Sequence, residues 1–314
     1  MLAAVVEEPG RLAVRELPIP EPDETECLVQ ILACAICNGT DRKLLDGHFR
    51  YVGPDAYPGI LGHESIGRVV HCGSKVESFQ EGDLVLRPQA RYRSEQGVGV
   101  GCIWGGIAQY GLVKDPVHGG NIMHQIVPPD LDPVEATMLI TLKETLSWLQ
   151  RWPVSPGQSV VVLGSGPVGL SFGFFAKLLG CGPVIVVGRR DEPLSRALSL
   201  GVDAVVNTER DDPADVVRHW TSGKGADRVI EAVGDDSLVE LGLSLAASGG
   251  RVGIYGISPT ETIGDMERRN LDIAKGRNEW AVEFFGPQEW APHEHMLWLV
   301  RKGIVNLRDY FTHV

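Results

Sequence analysis

Between residues 158 and 255 the chain alternates between short apolar runs of strand length and longer segments with helical spacing. The predicted strands are Gln158–Val162, Val184–Val187, Ala204–Val206, Arg228–Ala232 and Arg251–Tyr255. The predicted helices between them are Pro167–Leu179, Glu192–Ser199, Pro213–Thr221 and Ser237–Ala246. Because the strand runs are apolar throughout, both faces of the sheet must be covered by helices. The alternation predicts an α/β domain with a doubly wound parallel sheet.

The N-terminal part of the chain has a different pattern, with short apolar runs separated by Pro, Gly and Asp turns. The runs predicted as strands are Ala3–Val6, Cys27–Ala35, Ser65–Cys72 and Asp83–Leu86. Strands this short and close together favour a β-rich barrel or sandwich. Helical spacing then begins at Pro133–Trp152. We therefore predict a β-rich domain over 1–146, a parallel-sheet domain over 147–281 and a C-terminal segment over 282–314.

Composition excludes several classes of protein. The 314 residues carry a formal charge of −12 without a block of Lys or Arg, which argues against a nucleic-acid or anionic membrane surface. No apolar run reaches the roughly 18 residues of a membrane span. The six cysteines are too sparse for a disulfide scaffold, and four of them, Cys27, Cys72, Cys102 and Cys181, are expected to be inert buried thiols. We expect a cytoplasmic protein with a small-molecule partner.

A glycine motif of the form GxGxxG follows the first strand of the alternating region and opens the next helix. Its residues are Gly164-Ser165-Gly166-Pro167-Val168-Gly169. The first glycine permits the tight turn, the second lets the backbone approach a pyrophosphate, and the third allows close packing of helix and strand. In this context the motif predicts a dinucleotide site. The alternative is an ordinary glycine-rich turn.

The end of the following strand indicates which dinucleotide binds. An NAD site has a carboxylate there, whereas this chain has Gly188 followed by Arg189 and Arg190. A guanidinium pairs well with a 2′-phosphate, so we predict NADP(H) rather than NAD(H), bound through Arg189 and Arg190. In the alternative interpretation both arginines are solvated and Asp191 contacts the ribose.

Two segments of the β-rich part carry side chains suited to a metal. Cys34 and Cys37 lie in the first, and His63-Glu64 in the second. A thiolate, an imidazole and a carboxylate suit Zn²⁺, and a catalytic zinc takes three protein ligands plus water or substrate. Cys34-x-x-Cys37 could also be half of a structural zinc site or a redox pair, but a second CxxC is absent from the sequence.

The chain resembles a medium-chain dehydrogenase/reductase of the zinc-dependent alcohol and polyol dehydrogenase kind, over essentially its whole length. The matching stretches are MLAAVVEEPGRLAVRELPIPEP, CAICNGTD, YPGILGHESIGRVV, EGDLV, GGIAQYGLV, VVVLGSGPVG, GADRVIEAVG and GGRVGIYG. The resemblance implies a GroES-like β-rich catalytic domain plus a Rossmann domain, with the active site in the cleft between them. It also implies hydride transfer between a nicotinamide cofactor and an alcohol.

The resemblance assigns roles to particular residues. Cys37, His63 and Glu64 are implied as zinc ligands, and Glu64 could exchange with water. Asp41 is implied to orient His63, and Thr40 to hydrogen-bond the substrate oxygen and begin its proton relay. We also consider Trp104, His48, Phe49 and Tyr51 as substrate-pocket residues, against the alternative that they are ordinary core or loop residues.

Several departures from the family pattern bear on the site. Asn38 and Gly39 both separate Cys37 from Thr40, which adds one residue to what we expect to be a loop. Lys43 stands where many members have a relay histidine, so His48 could serve instead. A further family ligand aligns with Thr141, and Glu144, three residues later, could replace it or could simply pair with Lys143 or Arg151.

The remaining departures concern zinc content and length. Leu86–Gly101 has no cysteine where relatives bind a structural zinc, so one catalytic zinc per chain is expected. The C-terminal segment is shorter than in the family. The resemblance favours a zinc-dependent, NADP-preferring dehydrogenase of a secondary alcohol or ketone, most readily a polyol, sugar or aminocyclitol, assembled as a homodimer or homotetramer. The alternatives are a zinc-free NADPH quinone or enone reductase and a non-catalytic NADPH-binding protein.

Overall fold

The computed structural model describes residues 1–49, 51–257, 281–284, 286–311 and 313–314, with residues 281–284 described by backbone alone. The chain divides into two compact units. Unit 1 is Met1–Ile140, His293–Arg308 and His313–Val314, and unit 2 is Thr141–Pro292 and Asp309–Thr312. Among the described residues, no helix combines the length and apolar character needed to cross a membrane.

Unit 1 is built on two β-sheets. The first has the order β2-β1-β4-β7, from β1 (Leu2–Glu8), β2 (Arg11–Glu16), β4 (Gly59–Ile60) and β7 (Gly101–Cys102). The second has the order β8-β3-β5-β6-β9, from β3 (Glu26–Ala35), β5 (Glu64–Cys72), β6 (Leu84–Leu86), β8 (Tyr110–Lys114) and β9 (Ile126–Val127). The neighbours of the second sheet pair antiparallel, and apolar side chains from alternate positions form its core, as in the cluster of Cys27, Val29, Val69, Val85 and Val113.

The helices of unit 1 are short. They are α1 (Asn38–Leu45), α2 (Pro133–Ala136) and α8 (His293–Arg301), and α3 (Met138–Arg151) begins in unit 1 and continues into unit 2. Helix α2 begins where the Asp132 carboxylate accepts hydrogen bonds from the main-chain N–H groups of Val134 and Glu135. The single helical segment predicted over Pro133–Trp152 is thus two helices that meet at Thr137.

Unit 2 contains a six-stranded sheet in the order β12-β11-β10-β13-β14-β15, and every neighbouring pair is parallel. Its strands are β10 (Val160–Leu163), β11 (Val184–Gly188), β12 (Ala204–Asn207), β13 (Ala226–Glu231), β14 (Ala246–Ile254) and β15 (Ala281–Phe284). Besides α3, the helices of its described residues are α4 (Pro167–Leu178), α5 (Asp191–Ser199), α6 (Pro213–Trp220) and α7 (Asp236–Leu245). The predicted α/β fold with a parallel sheet is confirmed.

The strand order of unit 2 positions a ligand site. Strands β10 and β13 are neighbours, and from them the chain winds outward in opposite directions. Ligands of doubly wound sheets bind outside the carboxyl ends of the strands at such a switch point. All four residues of β10 are buried, which is why its sequence reads as a continuous apolar run.

The limit between the two compact units lies between residues 140 and 141, whereas the sequence predicts a domain limit between residues 146 and 147.

Candidate functional site

Cys37 lies at the junction between strand and helix. It follows β3 by two residues and caps the N-terminus of α1 in an extended conformation, with φ −85° and ψ 96°. Its carbonyl accepts hydrogen bonds from the N–H groups of Thr40 at 3.1 Å and Asp41 at 2.8 Å. The expected loop is therefore a helix, and Asn38 and Gly39 form its first turn.

Asp41 connects the two candidate ligand segments. Its side chain is buried, and one carboxylate oxygen accepts a hydrogen bond from the main-chain N–H of Cys37 at 2.9 Å. The other oxygen lies 3.5 Å from Nδ1 of His63. One carboxylate thus contacts the backbone of Cys37 and faces the ring of His63.

Strand pairing brings the two segments together. Strands β3 and β5 are antiparallel, and Ala35, two residues before Cys37, lies opposite Glu64. One ligand atom each from Cys37, His63 and Glu64 lies within 4.8 Å of the other two. Cys34 is not part of this group within the described part of the chain, so the CxxC spacing does not define the cluster.

The electrostatics of this cluster suit a cation. Burial opposes charge on the His63 ring, but Asp41 and Cys37 outweigh it and raise the pKa of His63 well above its ordinary value. Nδ1 of His63 and the facing Asp41 oxygen are both buried, and neither completes a hydrogen bond with a described residue. These two atoms face each other, so Asp41 orients the His63 ring. Three converging donors of the thiolate, imidazole and carboxylate types fit a bound zinc ion.

Arg87 is a buried residue of this region that no sequence motif identifies. Its guanidinium donates a hydrogen bond to the His63 carbonyl at 2.6 Å, and its main-chain N–H donates to the Ser65 carbonyl at 2.7 Å. Its backbone is left-handed, with φ +59°. The motifs carry no signal for this contact because Arg87 lies 24 residues from His63 in the chain.

Aromatic side chains lie beside the His63 ring. The ring of Trp104 is 5.4 Å from that of His63 and 5.7 Å from that of Phe49, which is itself 5.7 Å from Tyr51. Trp104 has φ +65°, a conformation that a bulky residue rarely adopts. His48 is exposed. The role of these residues in a substrate pocket stays a prediction.

In unit 2 the glycine motif forms the turn from β10 into α4. Gly164 has φ +125°, and a Cβ on Gly169 would lie 1.9 Å from the Gly164 carbonyl oxygen, so close packing requires a glycine there. Gly166 caps α4, Pro167 and Val168 are its first residues, and the space that a Cβ of Gly166 would occupy is open. Main-chain N–H groups at the start of a helix, reached over an open glycine, suit a pyrophosphate.

The end of β11 has room for neither a carboxylate nor any other side chain at Gly188. A Cβ there would lie 2.3 Å from Oγ of Ser165. Arg189 and Arg190 are exposed, whereas Asp191 accepts hydrogen bonds from Arg210 at 2.6 and 2.9 Å and from Asn207 at 2.8 Å. Those bonds occupy the carboxylate that the alternative interpretation assigns to the ribose.

Helix α3 carries the residues considered for a further metal ligand. Thr141 is buried, and its carbonyl accepts a hydrogen bond from the Thr145 hydroxyl. The Glu144 carboxylate accepts a hydrogen bond from the Tyr255 hydroxyl at 2.8 Å. Glu144 as a metal ligand stays a prediction.

The fold and the ligand cluster define a nicotinamide-dependent dehydrogenase with a zinc-type centre, and comparison with known proteins agrees. A model of the alcohol dehydrogenase GroES-like domain matches residues 23–118, and a zinc-binding dehydrogenase model matches residues 167–292. L-threonine 3-dehydrogenase of Thermococcus kodakarensis is 30% identical over 95% of this chain and 86% of its own length. Sorbitol dehydrogenase of Bacillus subtilis is 28% identical over 82% of this chain and 75% of its own.

A solved structure extends the likeness to the fold. A chain from Sinorhizobium meliloti 1021, assigned as a zinc-binding dehydrogenase and bound to NADP, is 29% identical with a TM-score of 0.77, over 97% of this chain and 89% of that one. The protein therefore belongs to the zinc-dependent medium-chain dehydrogenase/reductase family. It is an oxidoreductase of the alcohol dehydrogenase class, which acts on CH–OH donors.

Proposed function

We propose that the protein is a zinc-dependent oxidoreductase that transfers hydride between NADP(H) and a secondary alcohol or ketone. The observation that carries the proposal is the convergence of Cys37, His63 and Glu64 within 4.8 Å in unit 1. These residues would hold one catalytic zinc per chain, with water as a further ligand, and Glu144 in that position stays a prediction.

When bound, zinc supplies Lewis acidity that stabilises negative charge on the substrate oxygen. The residues of the chain prepare that chemistry. Cys37 would bind the ion as a thiolate. The Asp41 carboxylate faces Nδ1 of His63 and orients its ring, and the Arg87 guanidinium holds the His63 carbonyl. Thr40, in the first turn of α1, accepts the proton of the substrate hydroxyl into a relay that His48 continues, since Lys43 stands at the usual relay position.

Three features of unit 2 support NADP(H) over NAD(H). Gly188 has no carboxylate, Asp191 is occupied by Arg210 and Asn207, and the guanidinium groups of Arg189 and Arg190 are exposed next to it. A ribose 2′-phosphate is recognised by such guanidinium groups and is repelled by a free carboxylate. The turn formed by Gly164, Gly166 and Gly169 at the start of α4 would hold the pyrophosphate.

The substrate we propose is a polyol, a sugar or an aminocyclitol. Sorbitol dehydrogenase and L-threonine 3-dehydrogenase are among the similar proteins, and both names denote substrates with a secondary hydroxyl next to further polar groups. We place the enzyme in the cytoplasm as a homodimer or homotetramer. Light scattering of the purified protein tests the assembly.

The cluster of Cys37, His63 and Glu64 also distinguishes the proposed enzyme from two other functions. A zinc-free quinone or enone reductase does not need a Cys, a His and a Glu that converge. A non-catalytic NADPH-binding protein does not need Asp41 to join the Cys37 and His63 segments. Metal content distinguishes both from the proposed enzyme. We expect one zinc per chain in the purified protein and oxidation of a polyol or related alcohol at alkaline pH.

The decisive experiment compares ligand variants with matched controls. Cys37→Ser and His63→Ala should each lose zinc and turnover while NADPH still binds, as measured by metal analysis, absorbance at the nicotinamide band and fluorescence titration. Cys181→Ser, a buried thiol of unit 2, and His118→Ala, a histidine that contacts the Lys75 carbonyl, should retain zinc and turnover. Activity that survived both ligand substitutions would exclude the zinc mechanism.

A further inference from the structure

Two cysteines outside the metal cluster lie opposite each other on adjacent strands of the second sheet of unit 1. Cys27 on β3 and Cys72 on β5 are register partners, and their sulfur atoms are 2.6 Å apart. Two thiols in ordinary van der Waals contact lie much farther apart than this. The neighbouring strands therefore hold the two sulfur atoms in position to bond with each other.

The strand geometry explains why a bond is possible. The main-chain N–H of Gly73 donates to the Glu26 carbonyl at 2.9 Å, so the adjacent pair Cys27/Cys72 is a non-hydrogen-bonded pair of the antiparallel ladder. Cα atoms of such pairs are about 4.5 Å apart and their side chains approach most closely. Disulfides span Cα separations of about 4.4–6.8 Å, so the backbone can stay in place.

The surroundings give the two thiols different access. Cys27 is fully buried among Val29, Val69 and Val113, whereas Cys72 is only partly buried. A small soluble oxidant therefore reaches Cys72 first, and Cys27 lies directly behind it. Cys27 is buried as expected, whereas Cys72 is only partly buried and Cys102 is exposed, so the expectation that these two are buried thiols is wrong.

We propose that Cys27 and Cys72 form a redox-active pair that closes to an intrachain disulfide when the protein meets a peroxide. The Cys72 thiol gives up its proton as its sulfur attacks one peroxide oxygen, the O–O bond breaks, and the hydroxide that leaves takes up that proton as water. The resulting Cys72 sulfenic acid is attacked by the Cys27 sulfur, an S–S bond forms, the S–O bond breaks, and a second water leaves. Two thiols are oxidised, and their two electrons reduce one peroxide to two waters.

The cross-link has a structural consequence for the metal cluster. The same two strands end at Ala35 and begin at Glu64 on the side of the zinc ligands, opposite to the end where Cys27 and Cys72 pair. The disulfide joins positions 45 residues apart and so restricts the unfolded chain. Oxidation therefore makes this strand pair harder to separate without changing a ligand.

The test uses the zinc-loaded full-length protein and hydrogen peroxide. After oxidation, free thiols are alkylated, the protein is digested without reductant, and peptides are identified by mass spectrometry. We expect a peptide pair joined through Cys27 and Cys72, lighter than the two reduced peptides by two hydrogen atoms and released by dithiothreitol. The oxidised protein should also unfold several degrees higher than the reduced protein.

Matched variants make the assignment specific. Cys72→Ser should abolish both the joined peptide and the rise in unfolding temperature, whereas Cys102→Ser should retain both. The wild-type digest does not depend on how either variant folds. Recovery of Cys27 as an alkylated thiol, together with Cys72 as a thiol or a sulfinic acid, from wild-type protein treated with peroxide would overturn the proposal.

Discussion

The Arg87 guanidinium donates a hydrogen bond to the main-chain carbonyl of His63 at 2.6 Å, from a buried side chain on left-handed backbone. A non-glycine residue in this conformation costs on the order of 1–3 kcal/mol and persists where surrounding contacts hold it. The contact joins the residue after β6 to the residue before β5. Arg87 therefore supports the peptide unit that presents His63 to the cluster.

We predict that Arg87→Met lowers both zinc affinity and stability. Loss of the charged donor removes the hydrogen bond to the partly buried His63 carbonyl, which costs about 2 kcal/mol of unfolding free energy. Zinc affinity should fall because the ring is held less firmly. Urea unfolding and competition with a chromophoric chelator measure the two effects.

Arg68→Met is the matched control, since Arg68 also donates to a main-chain carbonyl, that of Gly82, but at an exposed position. It should change unfolding free energy by less than about 0.5 kcal/mol and leave zinc affinity unchanged. Equal zinc affinity in Arg87→Met and wild type would show that Arg87 has no part in presenting His63.

Asp41 yields a second prediction. Asp41→Asn keeps the size of the side chain but removes the negative charge that faces Nδ1 of His63 at 3.5 Å. Loss of such a partner lowers metal affinity or activity about 10–100-fold. We expect turnover to fall by this factor and to recover partly at saturating zinc, measured with the same alcohol substrate. Asp46→Asn, which removes only a partly exposed ion pair with Arg42, should leave turnover unchanged.

The regular part of the fold follows from the pattern of the sequence. Each of the predicted strands β10 to β14 overlaps the observed strand, because a buried parallel strand needs an apolar side chain on both faces. The two-residue strands β4, β7 and β9 have no such signal. They form because main-chain groups from distant segments pair, as Gly59 does with Gly101.

The site was predictable only in part. Cys37, His63 and Glu64 belong to motifs, so the resemblance identifies them. Helix α1 was missed because it begins with Asn38 and Gly39, which are poor helix formers, and its N-cap makes no side-chain hydrogen bond. Arg87 was missed because its position depends on the register between β5 and β6, which no local pattern encodes.

Gly188 and Ser165 give a prediction about cofactor choice. A Cβ at Gly188 would lie 2.7 Å from the Ser165 Cβ as well as 2.3 Å from its Oγ, so Gly188→Asp alone should destabilise unit 2. The double variant Gly188→Asp/Ser165→Gly removes the clash with the Ser165 side chain, so the new carboxylate can accept hydrogen bonds from the ribose of NADH. We expect the ratio of kcat/KM for NADPH to that for NADH to fall at least tenfold in the double variant.

A second variant tests the same assignment. Arg189→Ala should raise KM for NADPH while KM for NADH changes little. Steady-state kinetics with both cofactors measure both variants. A wild-type enzyme that clearly prefers NADH, or an Arg189→Ala variant with equal loss for both cofactors, would contradict the assignment of the 2′-phosphate to this loop.

Trp104 is predicted to shape the substrate site. Its ring packs against those of His63 and Phe49 on left-handed backbone, so a smaller side chain there opens the space beside the cluster. Trp104→Leu should raise KM for the alcohol substrate several-fold with an unchanged zinc content. Trp220→Leu, at an exposed position of unit 2, serves as the control. If Trp104→Leu had the wild-type KM for every alcohol of a panel, Trp104 would have a packing role only and no contact with the substrate.

The last prediction concerns acid stability and rests on Asp115. This buried carboxylate accepts hydrogen bonds from the N–H groups of Glu77, Ser78 and Val117 and from the Ser78 hydroxyl. Burial alone would raise the pKa of Asp115, but these hydrogen bonds outweigh it and lower the pKa to about 2. An unfolded aspartate has a pKa of about 3.9, so the folded state favours the charged form.

Because the pKa of Asp115 is lower in the folded than in the unfolded state, the charged carboxylate stabilises the fold. The stabilisation, about 2 kcal/mol, is fully present above about pH 4 and is lost as the pH falls towards 2. Asp115→Asn should therefore lower the unfolding free energy by about 2 kcal/mol at pH 7, and its deficit should shrink below pH 4 because the wild type loses the same contribution. Urea unfolding at a series of pH values measures the deficit, with the exposed Asp130→Asn as control. A deficit that stayed constant down to pH 2 would mean that Asp115 acts by its shape and not by its charge.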